Sequence, residues 1–123
     1  MRDTKLLGSY GEALTAEYLR KKGYKILGMN YRTRLGEIDV IASQGRFVAF
    51  VEVKLRKSDA FAQAREFVTR SKQQRIAAAA QEWLQLNACD LQPRFDVMEV
   101  YAPQGAATRE PTLHYWENAF TLD

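Results

Sequence analysis

The stretch 36-GEIDVIASQGRFVAFVEVK-54 decides the fold. Glu37 to Ala42 and Phe47 to Leu55 are rich in β-branched and aromatic residues, the composition of strands. Between them lies Ser43-Gln44-Gly45-Arg46, a turn signal. The pair predicts a β-hairpin. Its second strand is apolar on both faces, which places it inside a layered fold and not at an open edge.

Two carboxylates interrupt these apolar runs: Asp39 in Ile-Asp-Val-Ile, and Glu52 in Phe-Val-Glu-Val-Lys. If the four-residue turn is symmetric, residue 39 faces residue 50 and residue 37 faces residue 52. Asp39 and Glu52 then become diagonal neighbours on one face, together with Lys54. Burying carboxylates without partners is costly, so something must neutralise them. Lys54 can balance one charge and a divalent cation the rest. Hard oxygen ligands suit Mg²⁺ or Mn²⁺. Such an ion can polarise a phosphate oxygen and activate a water for in-line attack, with Lys54 orienting that water or meeting charge on the phosphate. The bland alternative is a structural ion pair, Glu52 with Lys54 or Glu37 with Arg34.

Outward from the hairpin the pattern continues. Residues 4–22 read as a helix whose inner face is Leu7, Gly11, Leu14 and Tyr18. Gly8 and Gly11 allow close approach to a sheet, and Lys21-Lys22-Gly23 is a stop signal. Tyr24 to Tyr31 is a first strand, with Gly28 a weak point or bulge. Residues 58–68 read equally as a helix start or a loop. Thr69 or Ser71 caps a second helix that runs to about Asn87, with Ile76, Ala80, Trp83 and Asn87 inward. Arg94 to Tyr101 is a fourth strand and Thr112 to Trp116 a short fifth. The order predicts one layered α/β or α+β domain over residues 1–123.

Composition excludes several classes. Hydrophobic residues make up 46% and charged residues 27%, enough for a modest globular core. No apolar run is long enough to span a membrane, and the stretch at Leu6-Leu7 is too short for a signal peptide. Cys89 is the single cysteine, so a reducing, cytoplasmic compartment is expected. With one Cys and one His, a structural zinc site and a Cys/His catalytic pair are both disfavoured. Cys89 reads as a partly buried packing residue and His114 as an edge or surface residue. Lys54, Arg56, Lys57, Arg65, Arg70, Lys72 and Arg75 make residues 54–75 strongly basic. That block is either a field that attracts a polyanion or a solvated loop and helix start.

These motifs resemble the uncharacterised YraN family, which is related to Holliday junction resolvases. The resemblance runs over nearly the whole chain. It rests on Gly11-Glu12-Ala13 with Tyr18-Leu19, Gly23-Tyr24, Ile26-Leu27, Asn30-Tyr31-Arg32, Gly36 to Ile41 and Phe50 to Arg56. Val68-Thr69, Lys72, Arg75-Ile76, Arg94 to Val97 and Asn118 to Phe120 complete it. The resemblance implies a restriction-endonuclease-like α/β fold, a mixed central sheet of about five strands flanked by helices. It implies that Asp39, Glu52 and Lys54 are the metal-binding and catalytic core and that Glu12 is an additional catalytic acid. On its own residues, Glu12 is as readily a helix-surface glutamate.

Lys72 lies one turn before Ile76, so its head could reach the site; the alternative is a lysine snorkelling at a helix start. Arg56 and Arg75 are expected phosphate contacts, or else solvated residues. Arg94 and Asp96 suggest a structural pair. The leading expectation is a Mg²⁺- or Mn²⁺-dependent DNA endonuclease acting on branched or recombination intermediates. Resolvase-like relatives act as homodimers; Tyr101, His114, Tyr115 and Trp116 suit a dimer surface or the core equally. A non-catalytic nucleic-acid-binding module and an interaction subunit are the alternatives.

Overall fold

The hairpin forms, with a tighter turn than its sequence suggests. In the computed structural model, which describes residues 2–57 and 68–121 and side chains from Ser9 onward, Gln44 pairs with Phe47 and only Gly45 and Arg46 turn the chain. Gly45 has φ +60°, the left-handed conformation that a two-residue hairpin loop demands. Ser43 and Gln44 therefore stay in the ladder, and the register slips by two residues from the symmetric four-residue expectation. A slip of two preserves which face each side chain takes. Val40 is opposite Val51, the last pair of this ladder, and Asp39 and Glu52 come just past its end.

The elements follow the expected order. Helix α1 (Arg2–Lys21) leads to β1 (Lys25–Arg32), β2 (Glu37–Gln44) and β3 (Phe47–Arg56). Helix α2 (Arg70–Leu86) then crosses to β4 (Gln92–Tyr101), and a short 3₁₀ turn precedes β5 (Thr112–Trp116). The strands form one sheet in the order β1-β2-β3-β4-β5, with β3 and β4 parallel and the other pairs antiparallel. A parallel pair needs a crossover, and α2 supplies it. This five-stranded mixed sheet between two helices is a restriction-endonuclease-like α/β architecture. No described helix is long and apolar enough to cross a membrane.

Each sheet face has its own core. On one side α1 packs Leu19 with Val40, Ala42, Ala49, Val51, Met98 and Val100. On the other, α2 packs Ile76, Ala79, Ala80 and Trp83 against Ile38, Ile41, Val48, Phe50 and Val97. Phe50 meets Trp83 edge to face at 5.9 Å. β3 feeds both layers, which explains its apolar residues on both faces. In β1 the register shifts between Ile26 and Gly28, the bulge that Gly28 suggested.

Two readings need correction. The buried face of α1 centres on Gly11, Glu12, Thr15, Ala16 and Leu19, while Leu14 and Tyr18 are half-buried flanks. A hydropathy pattern passes over Thr15, yet its hydroxyl donates to the Gly11 carbonyl at 2.8 Å and is satisfied inside the core. Asn87 is exposed at the C-cap of α2, its side chain donating to the Trp83 carbonyl; it is not an inner-face residue. The stretch 58–67, with Arg65, lies outside the described residues; Val68 is buried in the α2 core. Thr69 is the N-cap of α2, accepting from the Lys72 N–H.

Gly36, in the β1–β2 turn, meets α2 backbone to backbone. A Cβ there would lie 2.5 Å from the Arg75 carbonyl oxygen. Gly36→Ala must push turn and helix apart, and is expected to destabilise the fold by ~1–3 kcal/mol. Urea unfolding measures this, and a variant as stable as the wild type would show that the two elements are not in contact.

Candidate acidic–lysine site at a strand fork

The paired register of β2 and β3 ends at Val40 and Val51. Beyond it, β2 continues with β1 to Glu37 and β3 continues with β4 to Arg56, so the two strands part. Asp39 stands at this fork. Its Oδ2 accepts the Val53 N–H at 2.8 Å. A carboxylate thus meets a strand N–H where the β2–β3 ladder has stopped.

Strand alternation is interrupted at the same place. Ile38 and Ile41 both join the α2-side core, while Val40 joins the α1 side. Across from Asp39, between the pairs Met29–Val40 and Tyr31–Ile38, Asn30 has φ 54°. Asn is among the few residues that tolerate this conformation. Asn30 also donates its Nδ2 to Glu12 Oε1 at 2.7 Å. Gly11 brings α1 close to Val53, a Cβ there lying 3.1 Å from Val53 Cγ1, and so sets the buried Glu12 beside the sheet.

Glu52, 6% exposed, is held from the α2 side. Lys72 Nζ lies 2.6 Å from Glu52 Oε2, and Lys54 Nζ lies 3.5 Å from the same oxygen. The fork therefore gathers Asp39, Glu52, Lys54, Lys72 and Glu12, five of the residues singled out in the sequence. Burial pushes the Asp39 carboxyl up to about 7. The Glu52 and Glu12 charges add to that rise, while the Val53 N–H and Lys72 oppose it. Burial pulls Lys54 down and the Lys72 charge adds to this, against the attraction of Glu52. Burial also pulls on Lys72, but its hydrogen bond to Glu52 and the charges of Glu52, Asp39 and Glu37 hold it above its ordinary value.

Two other residues read as nucleic-acid contacts separate. Arg56 lies near Glu99, Nε to Oε2 at 3.4 Å, two residues along β3 from Lys54, the register partner of Glu99. Arg75 is exposed on α2 and lines a cavity with Arg34 and Lys72. The Arg94–Asp96 pair is structural: fully buried Asp96 accepts from Arg94, Tyr115 Oη and the Asn118 N–H. Of the aromatics named for a dimer surface or the core, Tyr101 is buried, and half-buried Trp116 donates Nε1 to Glu99. His114 is exposed on β5, as expected.

Asn30 and Glu99 were missed as site neighbours. Asn30 carried a signal, since Asn inside a strand pattern favours a left-handed kink. Glu99 carried none, because its place depends on the parallel β3–β4 pairing.

A divalent ion is tested by the donors. Among the described residues no three Asp, Glu, His or Cys side chains group to hold a metal. Asp39 and Glu52 remain as two neighbouring carboxylates, near enough for the Glu52 charge to act on Asp39. One or two carboxylates, completed by water and phosphate, are the usual protein share for Mg²⁺. Burial first, and the Glu52 charge second, push Asp39 up. Asp39 and Glu52 would be the residues to hold such an ion.

The sequence model of the uncharacterised protein family UPF0102 matches residues 11–100, a span that includes every residue at the fork. This is the family to which the motifs pointed under the name YraN. A UPF0102 protein of Alkaliphilus metalliredigens is 42% identical over 118 residues, 95% of this chain and 99% of that relative. UPF0102 protein TTE1452 of Caldanaerobacter subterraneus is 45% identical over 117 residues, 94% of this chain and 95% of that one. A UPF0102 protein of Geotalea daltonii is 41% identical over 121 residues, 98% and 93% respectively.

The Asp39 environment sets a pH dependence of stability. Its folded value, about 7, lies above its ordinary 3.8. Between those values the folded chain holds a proton that the unfolded chain releases, so stability falls as pH rises from about 4 to about 7 and then levels. At about 1.4 kcal/mol per pH unit the loss is at most ~4 kcal/mol. Asp39→Asn removes it. The variant is expected to gain on the wild type from pH 4 to pH 8 in urea unfolding; a difference that is flat, or that shrinks with pH, refutes the assignment.

Proposed function

We propose that this chain, which belongs to the uncharacterised protein family UPF0102, is a Mg²⁺- or Mn²⁺-dependent DNA endonuclease that hydrolyses a phosphodiester at the β2–β3 fork. One observation carries the reading: just past the last β2–β3 pair, Asp39 is held by the Val53 N–H and Glu52 by Lys72, with Lys54 on the same Glu52 oxygen. Carboxylates at this depth need a reason, and hydrophobic replacements would pack at least as well.

Asp39 and Glu52 would hold the ion. When bound, the ion supplies Lewis-acid polarisation of a phosphate oxygen and a water of lowered pKa. The protein does the rest. The Val53 N–H fixes the Asp39 carboxylate, and Asn30 fixes Glu12 behind it. Glu12 adds negative charge that favours a cation. Lys54, made less willing to stay protonated by burial, can orient the attacking water or donate to the phosphate. Lys72 competes with a cation for Glu52, from the first turn of α2, where no acidic residue balances the helix N-terminus. The basic flank, Lys72 and Arg75 foremost, would attract the phosphate backbone.

A second reading, a nucleic-acid-binding module without catalysis, is favoured by one observation: among the described residues no three Asp, Glu, His or Cys side chains, Glu12 included, group closely enough to hold a metal. It predicts salt-sensitive binding that Lys54→Ala leaves intact.

The test is cleavage of labelled junction, flap, single-stranded and duplex DNA with Mg²⁺ or Mn²⁺. Cutting is expected, with Lys54→Ala and Asp39→Asn each slower by at least ~100-fold. Because Asp39 must lose its proton to ligate, Mn²⁺ affinity is expected to rise as pH passes through about 7 in the wild type and not in Asp39→Asn. Every substrate left uncut by a folded, metal-loaded protein sinks the enzyme reading.

A further inference from the structure

Beside the fork lies a cavity of about 330 Å³, walled by the β1–β2 turn and the N-terminal half of α2. Thr33, Arg34, Leu35, Gly36 and Glu37 form one side; Lys72, Arg75 and Ile76 form the other. The volume sits at the small end of the ~300–1,000 Å³ typical of ligand sites. A cavity of that size has room for a nucleotide-sized group and not for a duplex.

The turn is locked before any ligand arrives. The Thr33 N–H donates to the Gly36 carbonyl at 2.9 Å. The Thr33 hydroxyl accepts from the Leu35 and Gly36 N–H groups at 2.9 and 3.2 Å and donates to the Gly36 carbonyl at 3.1 Å. Gly36 then seats directly on the Arg75 backbone. One hydroxyl and one missing Cβ thus set where Arg34 stands relative to Arg75.

The walls are cationic. Arg34 and Arg75 are both exposed, and Lys72 completes the set. Glu37 is the single carboxylate in the lining. Lys72 is already paired with Glu52, which leaves two guanidinium groups against Glu37. Guanidinium forks match phosphate oxygens in pairs, which ammonium groups do not. The first turn of α2 carries no acidic residue, so the helix end adds to this field. Leu35, 48% exposed, forms an apolar lip suited to a sugar face. Lys72 belongs both to this cavity and to the acidic fork, so the two are one continuous surface.

We propose that Arg34 and Arg75 form a second anion subsite, which holds a phosphodiester of the same nucleic-acid strand next to the one aligned at Asp39 and Glu52. The proposal rests on the nucleic-acid reading of the fork but not on cleavage. The subsite is positional: it sets the strand's direction past the carboxylates without reading bases.

The test is fluorescence anisotropy of labelled single-stranded and junction DNA with the full chain, without divalent ions, across ~50–200 mM salt. Arg34→Gln and Arg75→Gln are each expected to weaken binding about 5- to 10-fold and to lower the salt slope by ~0.7–0.9. The double variant is expected to lose both increments, while its Mn²⁺ affinity and melting temperature stay at wild-type values. A double variant that binds DNA within twofold of the wild type, at the same slope, overturns the subsite. Inorganic phosphate separates the two sources of this anion. Phosphate that perturbs the Arg34 and Arg75 amides in wild type, with DNA binding unchanged in the double variant, means a free-phosphate site and overturns the strand assignment. If no DNA is cut but the two substitutions still weaken binding, the endonuclease reading falls and the subsite stands. If cleavage persists and both variants bind like the wild type, the subsite falls alone.

Discussion

One hydrogen bond organises the candidate site: the Asp39 carboxylate accepting the Val53 N–H where β2 and β3 part. Had the hairpin ladder run on, a backbone carbonyl would be the ordinary partner for that N–H, and Asp39 would be an ordinary strand residue facing one layer. Because the strands diverge, the carboxylate takes that N–H itself, with Glu52 the residue before it in β3. A sheet forks when its two halves follow different partners. Here β2 stays with β1, and β3 is committed to a ten-pair parallel ladder with β4. The residues around Asp39 yield to that divergence, with Asn30 left-handed and the alternation between Ile38 and Ile41 broken.

The fork also explains why both helices contribute. α1 approaches through Gly11, which lets Glu12 reach the sheet, and α2 approaches through Lys72, which grips Glu52. Each brings one charge to a place that the hydrophobic cores leave open. The charges are unequal to the task of neutrality: three carboxylates meet two lysines, and burial adds to the imbalance. Burial, with the Glu52 and Glu12 charges behind it, pushes the Asp39 carboxyl up.

Charge of a different kind is handled away from the fork. Asp96 and Glu99 are as deeply buried as any residue in the sheet, yet each is met by donors. Asp96 has Arg94, Tyr115 and a backbone N–H; Glu99 has Arg56 and Trp116. The two pairs show what a satisfied buried carboxylate looks like in this protein. Asp39, with a single N–H and two carboxylate neighbours, is the contrast. Arg56, read from sequence as a phosphate contact, is drawn toward Glu99 because β4 lies parallel beside it, and no local pattern carries that information.

Much of the fold was legible because it is written in short-range patterns. The hairpin, the five strands, the two helices, the Thr69 cap and the Gly28 bulge all follow from residues near one another in the chain. The turn is two residues shorter than its sequence suggests, and two residues are a full strand period, so the faces of the paired stretch are unchanged. What only the tertiary structure decided are the contacts between distant segments: the rotation of α1 that buries Glu12 and Thr15, the reach of Lys72 to Glu52, the capture of Arg56 by Glu99, and the seating of Gly36 on Arg75. These depend on how strands order in the sheet and where helices land on it. The free energy of that arrangement is spread over the whole core, so no single stretch of sequence encodes it.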